Sequence, residues 1–263
     1  MLRADTQNLS LGTRARLLVK FLMYPGTNWI SRDKSRVVGM FSQGSPERPI
    51  RTLDCGCGNA YFAYQAVRRH SRCVGITIHE WERIHCQQMR SFLGLTEDQL
   101  ELRHASLETL AADPGEHGRY DQVLLLDVLE HILDDRRALR QVHAVTAADG
   151  LVYITTPNRD WQGNADHLRV TRTENGWHVR NGYTFEQLET LLRETGFEPV
   201  DRLRFGGLGT RVVTWIQHHV FRSWIDPLTV LAFPGLWLVS VLLAPWRDPH
   251  TIFVLARKSR VAE

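Results

Sequence analysis

"LDCGCGNA", Leu53 to Ala60, joins the end of an apolar strand to the start of a helix, and everything on either side follows from it. Gly56, Gly58 and the small Ala60 let the backbone approach a ligand closely, and a helix amino terminus offers free N–H groups there. A dinucleotide site would show a third glycine and an acid about twenty residues on. This turn instead reads G-x-G-x-A, with Asp54 just before it. An acid at that place suits an ammonium group rather than a pyrophosphate.

Outward from the turn, short apolar runs alternate with helical stretches. "RTLDCG" precedes the helix "AYFAYQAVRRH"; "RCVGITI" is a strand, "EWERIHCQQMRSFLG" a helix and "LELRHA" a strand. "YDQVLLLD" and "GLVYITTP" are strands on either side of the helix "DDRRALRQVHAVTAADG". "TFEQLETLLRETG" carries a Thr184 cap, Leu188, Leu191 and Leu192 on one face, and a glycine stop. "FEPVDRLRFGG" and "HTIFVLARK" are the last two strands. Continuous apolar strands alternating with helices predict an α/β fold whose mostly parallel sheet is covered on both faces.

The 263 residues suffice for one large domain or two small ones, and the net charge of +3 is unevenly spread. Residues 1–51 hold nine Lys and Arg against Asp5, Asp33 and Glu47, a surplus of six positive charges. Such a segment can face phosphates of nucleic acid or of an anionic membrane. Cys55, Cys57, Cys73 and Cys86 lack the C-x₂-C spacing of a zinc site, so the chain reads as reduced and intracellular. The first apolar run, "LLVKFLMY" at 17–24, is broken by Lys20 and lacks a cleavage site, so no signal peptide is expected.

The ordered set of motifs resembles the class I S-adenosylmethionine-dependent methyltransferases. "LDCGCGNA" is similar to their first motif, "VGITI" to their second strand, "YDQVLLLDVLEH" to their fourth strand and its loop, and "GLVYITTPN" to their fifth. "YTFEQLETLLRETGF" resembles the helix before their sixth strand. The resemblance spans roughly residues 50–210 and 250–258. It implies a Rossmann-like, mostly parallel sheet of seven strands with the last one antiparallel and helices on both faces; the apolar run between strands 6 and 7 is then an insertion outside the resemblance. The domain would then comprise residues 50–210 and 248–259, with a basic helical cap at 1–49 and the insertion at 211–247.

The resemblance further implies S-adenosyl-L-methionine as cofactor. Asp54, Gly56 and Gly58 would hold its methionine end, with Cys57 and Asn59 in the same turn. Thr77 and Ile78 would lie at the ribose, Ser106 and Leu107 near the adenine, and Asp127 and Val128 at the end of the fourth strand. Two positions depart from the commonest pattern: Thr77 stands where an Asp or Glu usually holds the ribose hydroxyls, and Ser106 where many relatives have Asp. A neutral hydrogen bond is weaker than a charge-assisted one. The "GITI" context is also similar to cyclopropane fatty-acid and sterol methyltransferases.

Methyl transfer requires an aligned acceptor, exclusion of water and, for a hydroxyl, removal of a proton. "DVLEH" presents Asp127, Glu130 and His131 at the carboxyl edge of the sheet, where α/β sites lie, and makes Glu130 and His131 the catalytic candidates. The plain alternative is that this loop only packs against the cofactor. In ubiquinone-pathway O-methyltransferases and small-RNA 3′-end methyltransferases, a similar acid-x-x-E-H with a distal histidine binds a divalent metal. Carried over, that implies Asp127, Glu130, His131 and His178 as ligands of Mg²⁺, Mn²⁺ or Zn²⁺, with His167 a poorer candidate. Trp81 and Glu82 are expected only to cover the cofactor's edge.

One stretch lies outside the resemblance: "PLTVLAFPGLWLVSVLLAPW", Pro227 to Trp246, twenty residues without a charge. It is long enough to span a bilayer, but its two flanks belong to one sheet and must lie on the same side. Pro234-Gly235 is expected to break it into a hairpin or two short helices. Trp215, Trp224, Trp237 and Trp246 fall in or beside it, as rings do at a bilayer interface. With "RARLLVKFLMY" as an amphipathic helix, the expectation is a cytoplasmic enzyme held peripherally at a membrane. The other readings are a lid, a dimer interface, or packing on its own domain.

The expected acceptor is hydrophobic or lipid-linked, with oxygen the methylated atom. Carbon methylation of a lipid is the rival, weakened by the absence of the expected bicarbonate-site and cysteine motifs. A non-catalytic protein with a relic cofactor site is the alternative of another class. Nucleic acid is set aside because an apolar insertion has no use there, and the oligomeric state is left open.

Overall fold

Ile50–Cys55 forms β1 at the middle of a seven-stranded sheet in the order β3-β2-β1-β4-β5-β7-β6. The computed structural model describes residues 9–26, 28–161, 170–171, 173–174, 176–221, 227–244 and 246–259. The other strands are β2 (Ser71–Thr77), β3 (Leu100–His104), β4 (Tyr120–Leu126), β5 (Thr146–Pro157), β6 (Phe197–Gly207) and β7 (Arg247–Lys258). β1 pairs in parallel with β2 and β4, and β7 runs antiparallel between β5 and β6. The expected sheet and its antiparallel last strand are therefore present. Chain order reverses between β1 and β4, and ligands of open α/β sheets bind at that switch point.

Both faces are covered because successive strand residues point to opposite sides. Val123, Leu125, Val152 and Ile154 pack with Leu139 and Val142 of α6 (Asp135–Val145) and with Leu188 and Leu192 of α7 (Phe185–Glu194). On the other face, Leu124, Tyr153 and Phe253 meet Ala66 of α3 (Tyr61–Val67) and Val37 and Phe41 of the amino-terminal segment. α4 (Glu80–Phe92) adds Cys86 beside Cys57 and Cys73 on that face. The short α5 (Leu107–Ala111) was not expected; Ser106 caps it by accepting the Thr109 N–H.

Before the sheet, α1 (Leu11–Leu22) and α2 (Trp29–Lys34) lead into a tight helical turn at Ser35–Met40. After β6 come α8 (Leu208–Ile216) and α9 (Pro227–Leu242). Two expectations are corrected. The helix expected to run through Thr146 to Gly150 ends at Val145, where the β-branched Thr146 turns its hydroxyl back to the Val142 carbonyl and pairs with Tyr120 in the sheet. Pro234-Gly235 does not break the apolar run, since α9 carries Pro234 inside one continuous helix. The lost N–H bond is offset by packing: Trp29, Val213 and Leu236 form a buried cluster, and the Phe233 ring stacks on Trp29 at 5.4 Å. No helix among the described residues is long and apolar enough to cross a membrane. Trp224 and His167 lie outside the described residues.

Candidate active site

At the switch point the glycine turn forms one wall of a cavity of about 440 Å³. Gly56 and Gly58 sit at φ +69° and +52°, a conformation that L side chains rarely adopt, and a Cβ on Gly56 would press on Val128 at 3.3 Å. The turn is fixed from behind, because the Gly56 and Cys57 N–H groups both donate to the Ile76 carbonyl. Thr77, Ile78, Ser106, Leu107, Asp127 and Val128 complete the expected lining.

Three of the expected cofactor residues are not on this wall. Cys57 turns into the buried cluster, where it packs against Gly75 and Cys86. Asn59 faces the amino-terminal segment, donating to the Pro25 carbonyl at 2.7 Å and accepting the Tyr61 N–H. Asp54 lies beneath the turn, fully buried, with Oδ2 unpartnered among the described residues. Burial pushes its carboxyl up to about 7, against a backbone hydrogen bond from Ala63.

The carboxylate missing from the end of β2 arrives from the next helix. Thr77 donates its hydroxyl to Glu82, in the first turn of α4, and Glu82 lines the cavity. Glu82 thus brings a carboxylate to the end of β2 from five residues later in the chain. A Thr followed at that spacing by Glu in a helix's first turn was the available signal.

Beyond Val128 the loop carries the candidate chemistry. Glu130, His131 and His178 each offer a ligand atom, and these atoms lie within 4.8 Å of one another. Both Glu130 oxygens, His131 Nδ1 and His178 Nδ1 are buried with no hydrogen-bond partner of normal geometry among the described residues, and the Thr156 hydroxyl lies beside Glu130. Burial raises the Glu130 carboxyl and lowers both imidazoles, His178 down to about 4. Neutral imidazole is the ligand form. His131 keeps a backbone hydrogen bond to Trp177, the outer contact that fixes a ligating ring's orientation. His131 also lines the cofactor cavity, so the cluster borders it.

The loop is braced so that residues far apart in sequence meet. Val179 N–H donates to the Glu130 carbonyl at 2.8 Å. Arg180 donates to the Ile132 and Leu133 carbonyls and pairs with Asp135, which also accepts from the Tyr183 hydroxyl at 2.8 Å.

Asp127, expected as a fourth ligand, is not in this group. It sits at φ 58°, ion-paired with the Lys34 ammonium and accepting from the Thr155 hydroxyl at 3.0 Å. Lys34 is buried, and burial lowers its pKa while Glu130 and Asp33 oppose the shift. No spacing motif links residue 34 to the "DVLEH" loop, which is why sequence reading missed it.

A family model described as a methyltransferase domain matches residues 30–202. The chain belongs to the class I S-adenosylmethionine-dependent methyltransferases. It is 32% identical over 184 residues to a ubiquinone biosynthesis O-methyltransferase of Ruegeria pomeroyi, a match covering 65% of this chain and 70% of that protein. The protein of the same name from Roseobacter denitrificans is 31% identical, with 65% and 71% covered. Among solved structures, a SAM-dependent methyltransferase from Archaeoglobus fulgidus superposes with a TM-score of 0.58 at 15% identity, covering 92% of this chain and 98% of that one. That likeness speaks to the fold alone. The methyltransferase uses S-adenosylmethionine, and the cavity fits it: a glycine cradle that side chains would fill, an adjoining Glu82 carboxylate, and an apolar wall of Ile78, Leu107 and Val128.

Proposed function

We propose that this methyltransferase methylates an oxygen of a hydrophobic or lipid-linked acceptor, with a divalent ion held by Glu130, His131 and His178. The observation that carries the reading is the cluster of buried ligand atoms of Glu130, His131 and His178, without partners among the described residues, on the side of the cofactor cavity that His131 lines. Two imidazoles and one carboxylate favour Zn²⁺, Mn²⁺ or Fe²⁺ over Mg²⁺, which prefers all-oxygen ligands. When bound, the ion supplies a Lewis acid that eases deprotonation of a hydroxyl. S-adenosylmethionine supplies the methyl group as a sulfonium. The chain's own work is to bind and orient: Thr77 and Glu82 hold the cofactor's polar edge, and the glycine turn takes its methionine end. The braced loop of residues 176–183 keeps water from the acceptor. The names of the two bacterial relatives support oxygen as the methylated atom.

The same reading places the enzyme peripherally at the inner face of a membrane. Leu231 is 78% exposed and Leu242 63% exposed on α9, with Trp237, Leu238 and Trp246 beside them, while α1 exposes Leu11 and Leu22 next to Arg14 and Lys20. Large exposed apolar surface flanked by basic residues fits an interfacial element.

The test is activity on a catechol-type lipid acceptor with and without EDTA, alongside metal analysis of the protein as purified. Loss of turnover on chelation, restored by Zn²⁺ or Mn²⁺, is expected. His178→Ala should lose metal yet keep cofactor binding. Full activity in excess EDTA sinks the metal, and label recovered only in water-soluble product sinks the lipid acceptor.

A further inference from the structure

A second cavity, about 1190 Å³, opens on the carboxyl edge of the sheet beside β6 and β7 and shares no lining residue with the cofactor cavity. Arg36, Arg202, Arg204 and Arg247 line it, opposed by the carboxylates of Asp160 and Glu186. These arginines come from the helical turn after α2, from alternate positions of β6 and from the first residue of β7. Only the fold brings them together.

Two of the guanidinium groups are held in place. Arg202 and Arg204 both lie over the Phe185 ring at 5.1 Å, one on each count, and are tethered to Glu189 at 2.9 Å and Asp160 at 3.7 Å. Stacking on an aromatic ring fixes the plane of the guanidinium fork before a ligand arrives. Arg36 and Arg247, by contrast, have no carboxylate within 4.0 Å among the described residues. The cavity therefore sets two guanidinium groups without a close carboxylate beside two pre-set forks, and its four arginines outnumber its two lining carboxylates.

We infer that this cavity binds a phosphate or diphosphate ester. Planar guanidinium forks match phosphate oxygens bidentately, and several converging arginines suit a doubly charged group better than one carboxylate. The rim continues into apolar surface: Ala244 lines the cavity, and Leu242 and Trp246 beside it are exposed. A phosphate ester with a hydrocarbon tail has a place for both parts. A soluble phosphate ester would use the arginines alone. The inference goes beyond the methyl-transfer reading and does not depend on it.

The experiment is titration calorimetry of the full chain with inorganic pyrophosphate, comparing wild type with Arg36→Gln/Arg247→Gln. Among the described residues neither of those arginines has a carboxylate within 4.0 Å, and unchanged melting temperature and S-adenosylmethionine affinity will show that the variant is folded. Losing two charge-assisted contacts should weaken pyrophosphate binding at least about tenfold. Vesicles of phosphatidylcholine with and without phosphatidate then distinguish the sources. Variant-sensitive preference for phosphatidate assigns a lipid headgroup, and pyrophosphate binding without that preference assigns a soluble phosphate ester. No pyrophosphate binding, or binding that the double variant leaves unchanged, overturns the proposal. Retention of single-stranded RNA that pyrophosphate cannot displace would also overturn it.

Discussion

Lys34, the last residue of α2, is buried and forms an ion pair with the partly exposed Asp127 just beyond the carboxyl end of β4, so the segment before the sheet reaches the wall of the cofactor cavity. Removing one partner of such a pair leaves an uncompensated charge, which typically costs about 3–5 kcal/mol. Lys34→Met should fall near the lower figure, because Thr155 still donates to Asp127 and water reaches that carboxylate. The double variant Lys34→Met/Asp127→Asn should recover much of the loss. Urea denaturation of the two single variants and the double one measures the coupling, and simple additivity would show that the pair is not stabilising.

Glu82 is predicted to be the carboxylate that selects the cofactor. A hydrogen bond to a charged group contributes roughly 1.5–3 kcal/mol, so Glu82→Ala should weaken S-adenosylmethionine binding between about tenfold and a hundredfold. Thr77→Val should weaken it less, since it frees Glu82 rather than removing it. Because Glu82 is only half-buried in the first turn of α4, its removal should alter the melting temperature little. Calorimetry with the cofactor checks both, and equal affinity for wild type and Glu82→Ala would refute the assignment.

These two residues mark where sequence reading stopped. The central strands were legible because β1, β2, β4 and β5 carry apolar runs between helical stretches, whereas the end of α6 was not, because the glycine at 150 lies inside β5 rather than at the helix end. The glycine turn was legible because only a close approach explains G-x-G-x-A in that place. Lys34 was not, since a lone lysine in a basic segment is ordinarily a solvated charge. Nor was the continuity of α9 through Pro234, because the local rule against proline was overruled by packing against Trp29 and Arg32 from another part of the chain. Asp127 was misplaced for a related reason: its partner in the sequence motif is Glu130, but its partner in space is Lys34.

Arg180 touches neither cofactor nor ligand atoms, yet it ties the His178 loop to Ile132, Leu133 and Asp135. Outer contacts of this kind are worth about 10–100-fold in metal affinity or activity. Arg180→Met should show that loss in Zn²⁺ affinity measured by a competing chelator, with S-adenosylmethionine affinity kept. Arg180→Lys should restore only part of it, since a single ammonium cannot bond two carbonyls and a carboxylate in one plane. A parallel loss of cofactor affinity would point instead to a general structural role.

Glu116 sets a pH dependence remote from the site. It is buried, and burial alone would raise its carboxyl, but the Tyr120 hydroxyl and the Arg103 and Arg119 guanidinium groups hold it below its ordinary value. A depressed folded pKa adds stability that is complete above the unfolded value of about 4.5 and is lost as pH falls through the folded one. Wild type should therefore lose stability below roughly pH 4.5 more steeply than Glu116→Gln, whose melting temperature is already lower at pH 7. Melting curves from pH 7 to pH 3 decide it: parallel profiles would remove Glu116 as a contributor.

Trp29 is one of the contacts that dock α9, alongside Val213 and Gly209 of α8. Its ring is buried, stacks on Phe233, and carries the Arg32 guanidinium 5.3 Å from its centroid. Truncating a buried Trp costs about 3–5 kcal/mol, and here the cost falls on the seam between α2, α8 and α9. Trp29→Ala should therefore raise hydrogen exchange in α8 and α9 well before it does so in β1, β4 and β5, whose packing does not involve this ring. Because Lys34 follows Trp29 within the same helix, the cofactor site should loosen as well, and S-adenosylmethionine should slow exchange in α2 of the wild type. Uniform acceleration across the sheet would mean that α9 and the sheet unfold as one unit, and that Trp29 contributes only to their common stability.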